Sequence, residues 1–200
     1  MLGLIAGGEF RDPLREGASM LFGSTHKSFF GPQGGIILAD KEHDEFIKKS
    51  IFPAFVDNAH WNRIAALALA LAEMKEFGRK YATQVVKNAQ TLARTPAEYG
   101  LPVACSSLGF TRSHQVYLDY GSFGNGGRIA KTPEKADIIT NRGVRLGTCE
   151  MTRKGMKQKE MLKIAEFIKR VIMDGEQPSK VKPEVTRFAE EFREVGYCFK

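Results

Sequence analysis

A lysine between small hydroxyl residues and a glycine-rich loop is the segment whose residue types suggest chemistry. Ser24, Thr25 and His26 precede Lys27, and Gly31–Gly35 follows it with the sequence Gly-Pro-Gln-Gly-Gly. A lysine amine that loses its proton is a nucleophile and forms a Schiff base with an aldehyde cofactor. The two hydroxyls and the imidazole can bond cofactor oxygens, and the glycines let backbone amides approach an anion. Because the chain has 30 lysines and arginines, spacing alone leaves an ordinary loop lysine as the alternative.

The hydrophobic pattern predicts the elements that position this segment. The apolar start, Met1–Ala6, predicts a strand or the loop that leaves one. Strands are predicted at Met20–Gly23 and Ile36–Ala39, on either side of the Lys27 loop, and a short helix at Lys41–Ser50. A long helix is predicted over residues 58–93, broken or bent at Gly78. Its apolar stripe consists of Trp61, Ile64, Ala65, Ala68, Leu71 and Ala72.

The second half of the chain alternates between short strands and helices. Gln115–Tyr120 predicts a half-buried strand with Val116, Leu118 and Tyr120 on one face, and further strands are predicted at Ile138–Ile139 and Val144–Leu146. The three helices are predicted from Gly124–Gly127 to about Ala136, over Met161–Ile172 with Gly175 and Pro178 ending it, and from Pro183 onward. The apolar face of the last helix would contain Val185, Phe188, Ala189, Phe192 and Val195. Mixed strands and helices of this kind favour an α/β fold.

Composition is that of a globular protein, with 42% hydrophobic and 26% charged residues. The net charge of +7 is scattered along predicted helices, which suits anionic small molecules better than a specific nucleic-acid partner. Three widely spaced cysteines lack metal-ligand spacing, so we expect neither a metal site nor a disulfide framework. The longest apolar run, Ile64–Ala72, is far shorter than the roughly 20 residues that cross a membrane, and Met1–Ala6 lacks the basic start of a signal peptide. We therefore expect a cytoplasmic protein without a membrane partner.

Several stretches, in a fixed order, carry the pattern of a known family. They are Gly3–Ala18, Gly23–Ile37, Val85–Gln90, Gly143–Thr148, Glu150–Arg153 and Gly155–Met156. In combination they resemble serine hydroxymethyltransferase, and specifically the C-terminal half of that enzyme, from the first residue to about Ile172. The resemblance implies the fold-type I arrangement of pyridoxal-phosphate transferases, usually a homodimer with sites at the subunit interface. Residues 1–76 then correspond to the end of the large cofactor-binding domain, and residues 77–200 to the small C-terminal α/β domain.

The resemblance also assigns roles to individual residues. Lys27 matches the Schiff-base lysine, with Ser24, Thr25 and His26 as neighbours that contact pyridoxal phosphate, whose ring acts as an electron sink. Arg145 matches the arginine that holds the substrate carboxylate, because a guanidinium pairs with a carboxylate through two parallel hydrogen bonds. Without the resemblance, spacing alone favours an arginine that pairs with a surface acid. The implied co-substrate is tetrahydrofolate or a related pterin.

The sequence departs from the family near Phe52-Pro53 and before Gly143. Asp57-Asn58 stands where the family has a glycine pair that approaches a phosphate, and Ala59 replaces one of two adjacent histidines, so we expect a structural role for His60. The family's folate-binding loop between Arg142 and Gly143 is missing. The aspartate that contacts the pyridine nitrogen, the phosphate cup and the ring-stacking histidine precede the matched region in the family and are absent.

Three functional hypotheses follow from the resemblance and these departures. The first is the interconversion of serine and glycine, with the N-terminal half supplied by another chain or a longer product. The second is a non-catalytic remnant or dimerising module. The third is a related aldolase or racemase acting on β-hydroxy amino acids, which fits the missing loop because those reactions need no folate.

Overall fold

The computed structural model describes residues 1–119, 126–141 and 145–200, with the backbone alone for residues 126–128. The predictions that concern Tyr120, Gly124, Asn125 and Val144 lie outside the described residues. The described chain forms two compact units, Met1–Ala82 with Phe199–Lys200, and Thr83–Cys198. The domain division predicted at residue 77 stays a prediction.

The first unit contains an antiparallel pair of strands that flanks the Lys27 loop. Helix α1 is Leu2–Ala6, strand β1 is Met20–Ser24 and strand β2 is Gly35–Ala39. The pairing runs from Met20 opposite Ala39 to Ser24 opposite Gly35, so both predicted strands are confirmed. A short 3₁₀ helix, Lys41–His43, leads into helix α2, Asp44–Ile51, where one short helix was predicted.

The prediction of a strand or exit loop at the start of the chain is wrong, because these residues form α1. Two glycines let this helix lie against neighbouring backbone. A Cβ at Gly3 would fall 2.0 Å from the Ser28 carbonyl oxygen, and one at Gly7 would fall 2.5 Å from the Gly78 carbonyl oxygen. A short apolar run has no periodicity that separates helix from strand, which explains the error.

Helix α3, Trp61–Glu98, confirms the long helix and continues through Gly78 without a break. Gly78 is buried, and a Cβ there would lie 2.6 Å from the Met74 sulfur, so tight packing explains this glycine. In the first unit α3 contributes Ala70, Met74 and Tyr81 to the buried residues. The apolar stripe is exposed, with Trp61 76% and Ile64 46% accessible, so α3 buries a different face within the first unit.

The second unit packs helices against a second antiparallel strand pair. Strand β3, Gln115–Tyr117, pairs with β4, Arg145–Gly147, and Leu118 bridges to Val103. The helices are the end of α3, α4 (Gly126–Glu134), α5 (Cys149–Arg153), α6 (Gln158–Ile172) and α7 (Pro178–Glu190), with a 3₁₀ turn at Ser106–Leu108. Val116 and Leu118 are buried and Tyr117 is exposed, which confirms the predicted alternation.

Two predictions for this unit are wrong. Ile138–Ile139 is not a strand, because the Ile138 amide bonds to the Pro133 carbonyl in a turn that places Asp137 at a φ of 60°. The last helix begins at Pro178 instead of Pro183. The first backbone amides of a helix have no partner within the helix, so a proline, which lacks an amide hydrogen, fits at its first position. Within the described residues, no helix has the length and apolar character to cross a membrane.

Candidate functional site

Lys27 lies on the connection between β1 and β2, and its side chain is exposed. Thr25, two residues before it, and Ser28, immediately after it, are buried. Buried residues on both sides of the His26-Lys27 pair therefore fix this connection to the fold, while the Lys27 amine reaches solvent.

Thr25 holds the connection closed. Its amide donates to the Gly34 carbonyl at 2.9 Å, and its carbonyl accepts from the Gly31 amide at 2.7 Å. Its hydroxyl donates to the Pro32 carbonyl at 2.6 Å and lies 3.1 Å from the Gly34 oxygen. With the side chain fully buried, this geometry gives Thr25 a loop-forming role, and its predicted contact with a cofactor stays a prediction.

His26 is exposed and borders the glycine-rich loop. Its Nδ1 accepts a hydrogen bond from the Gly34 amide at 3.2 Å and lies 3.3 Å from the Gly34 carbonyl oxygen. An imidazole that accepts through Nδ1 carries its proton on Nε2 when neutral, so Nε2 is the available donor. The predicted role of His26 next to a cofactor oxygen stays a prediction.

Ser28 and Ser24 anchor the two ends of the lysine segment. The buried Ser28 hydroxyl accepts from the Gly3 amide at 3.2 Å, and the Ser28 carbonyl accepts from the Tyr81 hydroxyl at 3.1 Å. Ser24 is half-buried as the last residue of β1, opposite Gly35. The segment around Lys27 is thus tied to α1, α3 and β2.

Sequence reasoning missed one residue near this loop. Arg63, in the first turn of α3, donates from Nε to the Gln33 carbonyl at 2.9 Å and from Nη2 to the Gly35 carbonyl at 2.8 Å. His60 and Asp57, which the sequence singled out, are exposed, and the Asp57 carboxylate accepts from the Asn58 side-chain Nδ2 at 3.3 Å. No local signal distinguishes Arg63, because its partners are about thirty positions earlier in the chain.

Arg145, the other predicted site residue, belongs to the second unit. It opens β4 opposite Tyr117, its side chain is exposed, and its amide donates to the Asn141 Oδ1 at 2.7 Å. His114 precedes β3, and burial is the largest cause that lowers the pKa of His114 to about 4, with the positive charge of Arg145 acting in the same direction. The buried Thr148 hydroxyl joins this region to α3 by donating to the Val85 carbonyl at 3.0 Å.

Comparison with known proteins identifies the family of this chain. A family model described as serine hydroxymethyltransferase matches residues 1–168. The serine hydroxymethyltransferases of Methanocella arvoryzae and Methanocaldococcus jannaschii are 48% and 49% identical to this chain. Each alignment covers all of this chain and 51% of the relative. That of Nitrosopumilus maritimus is 43% identical over 98% of the chain and 49% of the relative.

A solved structure, L-threonine transaldolase from Pseudomonas fluorescens, superposes with a TM-score of 0.90 at 34% identity. The similarity covers 98% of this chain and 48% of the transaldolase. These findings confirm the α/β, fold-type I class of the pyridoxal-phosphate enzymes. The chain belongs to the serine hydroxymethyltransferase family, and it spans about half the length of the curated relatives it matches.

Proposed function

We propose that this chain is part of a pyridoxal-phosphate-dependent hydroxymethyltransferase that interconverts serine and glycine with tetrahydrofolate or a related pterin. The observation that carries the proposal is the exposed Lys27 amine on a connection closed by Thr25 and Gly34, in a chain of this family. Half of each relative lies outside the matched region, so the complete site would include residues beyond this sequence.

The residues present fit the cofactor by their chemistry. Lys27 offers a primary amine as the attachment group, and His26 offers an Nε2 donor for a cofactor oxygen. Bound pyridoxal phosphate supplies an aldehyde for the amines and a ring that withdraws electrons from the substrate α-carbon. Thr25 and Ser28 keep the backbone on both sides of Lys27 in place, so the amine pivots from a fixed point.

Arg145 would bind the carboxylate of the amino-acid substrate. Its side chain is exposed, and its backbone begins β4 and pairs with Tyr117 of β3. This pairing holds the backbone of Arg145 in place. A planar guanidinium binds both oxygens of a carboxylate and thereby fixes the rotation of the amino acid.

A second candidate is an aldolase-type reaction on β-hydroxy amino acids. Two observations favour it: the similar solved structure is a threonine transaldolase, and the alignment with the Methanocella relative runs over 214 residues against 200 in this chain. The relative thus carries residues that this chain lacks, as expected if a folate-binding loop is missing.

The exposed apolar stripe of α3 supports a protein partner, which we propose to be either a second copy or a chain supplying the other half of the enzyme. Trp61, Ile64 and Leu71 are each more than two-fifths accessible, and such a stripe on a globular unit commonly marks an interface.

Turnover tests the proposal. The chain, alone and mixed with the N-terminal half of the Methanocella relative, would be given pyridoxal phosphate, serine and tetrahydrofolate, and glycine would be quantified. We expect glycine from the mixture, its loss in Lys27→Ala and its retention in Lys75→Ala, a matched change at an exposed lysine of α3. Release of acetaldehyde and glycine from threonine without folate, with no glycine formed from serine and tetrahydrofolate, would favour the aldolase. If the two chains form a complex but the mixture shows neither activity, the result would support the non-catalytic module.

A further inference from the structure

We propose that Arg63 is a positioning residue for Lys27, acting through the glycine-rich loop Gly31–Gly35. The inference rests on the proposed function, because it concerns the reactivity of the Lys27 amine. It starts from a side chain of α3 that lies across a loop about thirty positions earlier in the sequence.

The Arg63 guanidinium binds both sides of one loop residue. Its Nε and Nη2 donate to the carbonyls of Gln33 and Gly35, at 2.9 and 2.8 Å, and those residues flank Gly34. Two donors held in one plane fix the direction of both carbonyls at once, which a lysine ammonium cannot do. Arg63 is half-buried, so these bonds are partly shielded from water.

Gly34 is the residue that makes room for this contact. A Cβ at position 34 would lie 2.1 Å from both Nε and Nη2 of Arg63, closer than any real side-chain contact. Gly34 also has a φ of 154°, which side chains rarely adopt. The absence of a side chain at this position therefore allows the guanidinium to lie directly over the backbone.

The same glycine connects Arg63 to the lysine segment. The Gly34 carbonyl accepts from the Thr25 amide at 2.9 Å, and the Gly34 amide donates to the His26 Nδ1 at 3.2 Å. Thr25 and His26 are the two residues immediately before Lys27. A guanidinium that fixes the backbone around Gly34 thereby fixes the backbone from which the Lys27 side chain extends.

Substituting Arg63 and Gly34, the two partners of the contact, tests whether the contact positions Lys27. Arg63→Gln removes the charged donors, and Gly34→Ala displaces the guanidinium while leaving it in the chain. If both act by opening the same contact, the double variant should be no worse than the more affected single variant. Arg79→Gln, at an exposed arginine of the same helix and the same unit, is the matched control.

With the N-terminal half of the Methanocella relative present, the experiment measures the rate at which pyridoxal phosphate labels Lys27 under borohydride, relative to Lys75, by peptide mass spectrometry. Borohydride reduces the condensation product of amine and aldehyde to a stable secondary amine, so the label survives digestion. We expect the Lys27 to Lys75 ratio to fall about tenfold in Arg63→Gln and in Gly34→Ala, and to be unchanged in Arg79→Gln. Hydrogen exchange should quicken at the amides of Thr25 and Gly34, with the thermal midpoint kept within a few degrees.

The outcomes separate the inference from the proposed function. If Lys27 is selectively labelled in the unchanged chain and equally labelled in the Arg63 and Gly34 variants, Arg63 does not position it and the inference is overturned. If Lys27 is not selectively labelled in the unchanged chain, the proposed function fails and the inference fails with it. A tenfold loss accompanied by general unfolding, seen as faster exchange throughout Met1–Ala82, would also overturn it, because Arg63 would then be holding the whole unit together.

Discussion

Asn88 is the buried polar residue of the second unit whose loss should be most damaging. Its side chain is fully buried on α3. Its Nδ2 donates to the Thr152 Oγ1 and to the Met156 carbonyl, each at 2.9 Å, and its Oδ1 accepts from the Gln84 amide at 2.8 Å. The two bonds from Nδ2 join α3 to α5 and to the turn before α6, and the bond from Gln84 lies within α3.

The cost of Asn88→Ala follows from which partners remain satisfied. Thr152 still donates to the Thr148 carbonyl at 2.7 Å, and Gln84 still donates to Gln158 at 2.9 Å. The Met156 carbonyl loses its bond to Asn88, and a buried polar group without a partner costs about 1–3 kcal/mol. The void left by the amide adds roughly 1 kcal/mol, giving about 2–4 kcal/mol in the free energy of unfolding.

Hydrogen exchange is the suitable assay, because the single tryptophan, Trp61, lies in the other unit and its fluorescence would not report this one. Peptides from Gln158–Ile172 should exchange about 30- to 1000-fold faster in Asn88→Ala, the equivalent of that free energy. Lys87→Ala, at the exposed neighbouring position, should change exchange less than about threefold. Equal exchange in the two variants would refute the assignment of stability to this network.

Three further predictions concern charged groups. Burial lowers the pKa of His114 from 6.5 to about 4, so the stability of the second unit is highest above pH 6.5 and falls as the pH drops toward 4. His114→Gln should flatten the dependence of stability on pH in that range, and an unchanged slope would contradict this prediction. Arg170 donates to Glu176 and Glu184 and lowers the pKa of each from 4.5, so the stability that these ion pairs contribute is present above pH 4.5 and is lost in acid. Arg170→Gln should lower the thermal midpoint more at pH 7 than at pH 3, and equal losses at the two pH values would refute this prediction. Arg145→Lys in the assembled enzyme should weaken glycine binding more than pyridoxal-phosphate binding, because lysine keeps the charge but lacks the planar fork; equal losses in two titrations would assign Arg145 to the fold or to the phosphate.

Sequence patterns predicted most of the regular elements because their periods are distinctive. The alternation of Val116, Tyr117 and Leu118 and the three-to-four spacing of Met161–Ile172 each match one kind of element. The prediction failed where the apolar run was short and where two prolines were both possible first residues of a helix. Met1–Ala6 fits strand and helix equally well, and Pro178 and Pro183 are both plausible helix starts.

The candidate site was predictable only in its local part. Lys27 and its neighbours stand together in the sequence, and the family resemblance over several stretches, rather than this short motif alone, led to their assignment. Arg63 was not predictable, because its contact depends on the packing of α3 against a loop about thirty positions earlier. Asn88 lay within a recognised motif, yet only the structure reveals that its amide joins α3 to Thr152 and Met156.

The attachment of pyridoxal phosphate to Lys27 is the central claim, and the site of covalent labelling at equilibrium tests it most directly. The chain, with the N-terminal half of the Methanocella relative present, would be saturated with pyridoxal phosphate, reduced with borohydride, digested and mapped by mass spectrometry. The account predicts about one label per chain, located at Lys27 and missing from Lys27→Ala. Labels distributed over many lysines, or equal total labelling in Lys27→Ala, would contradict it.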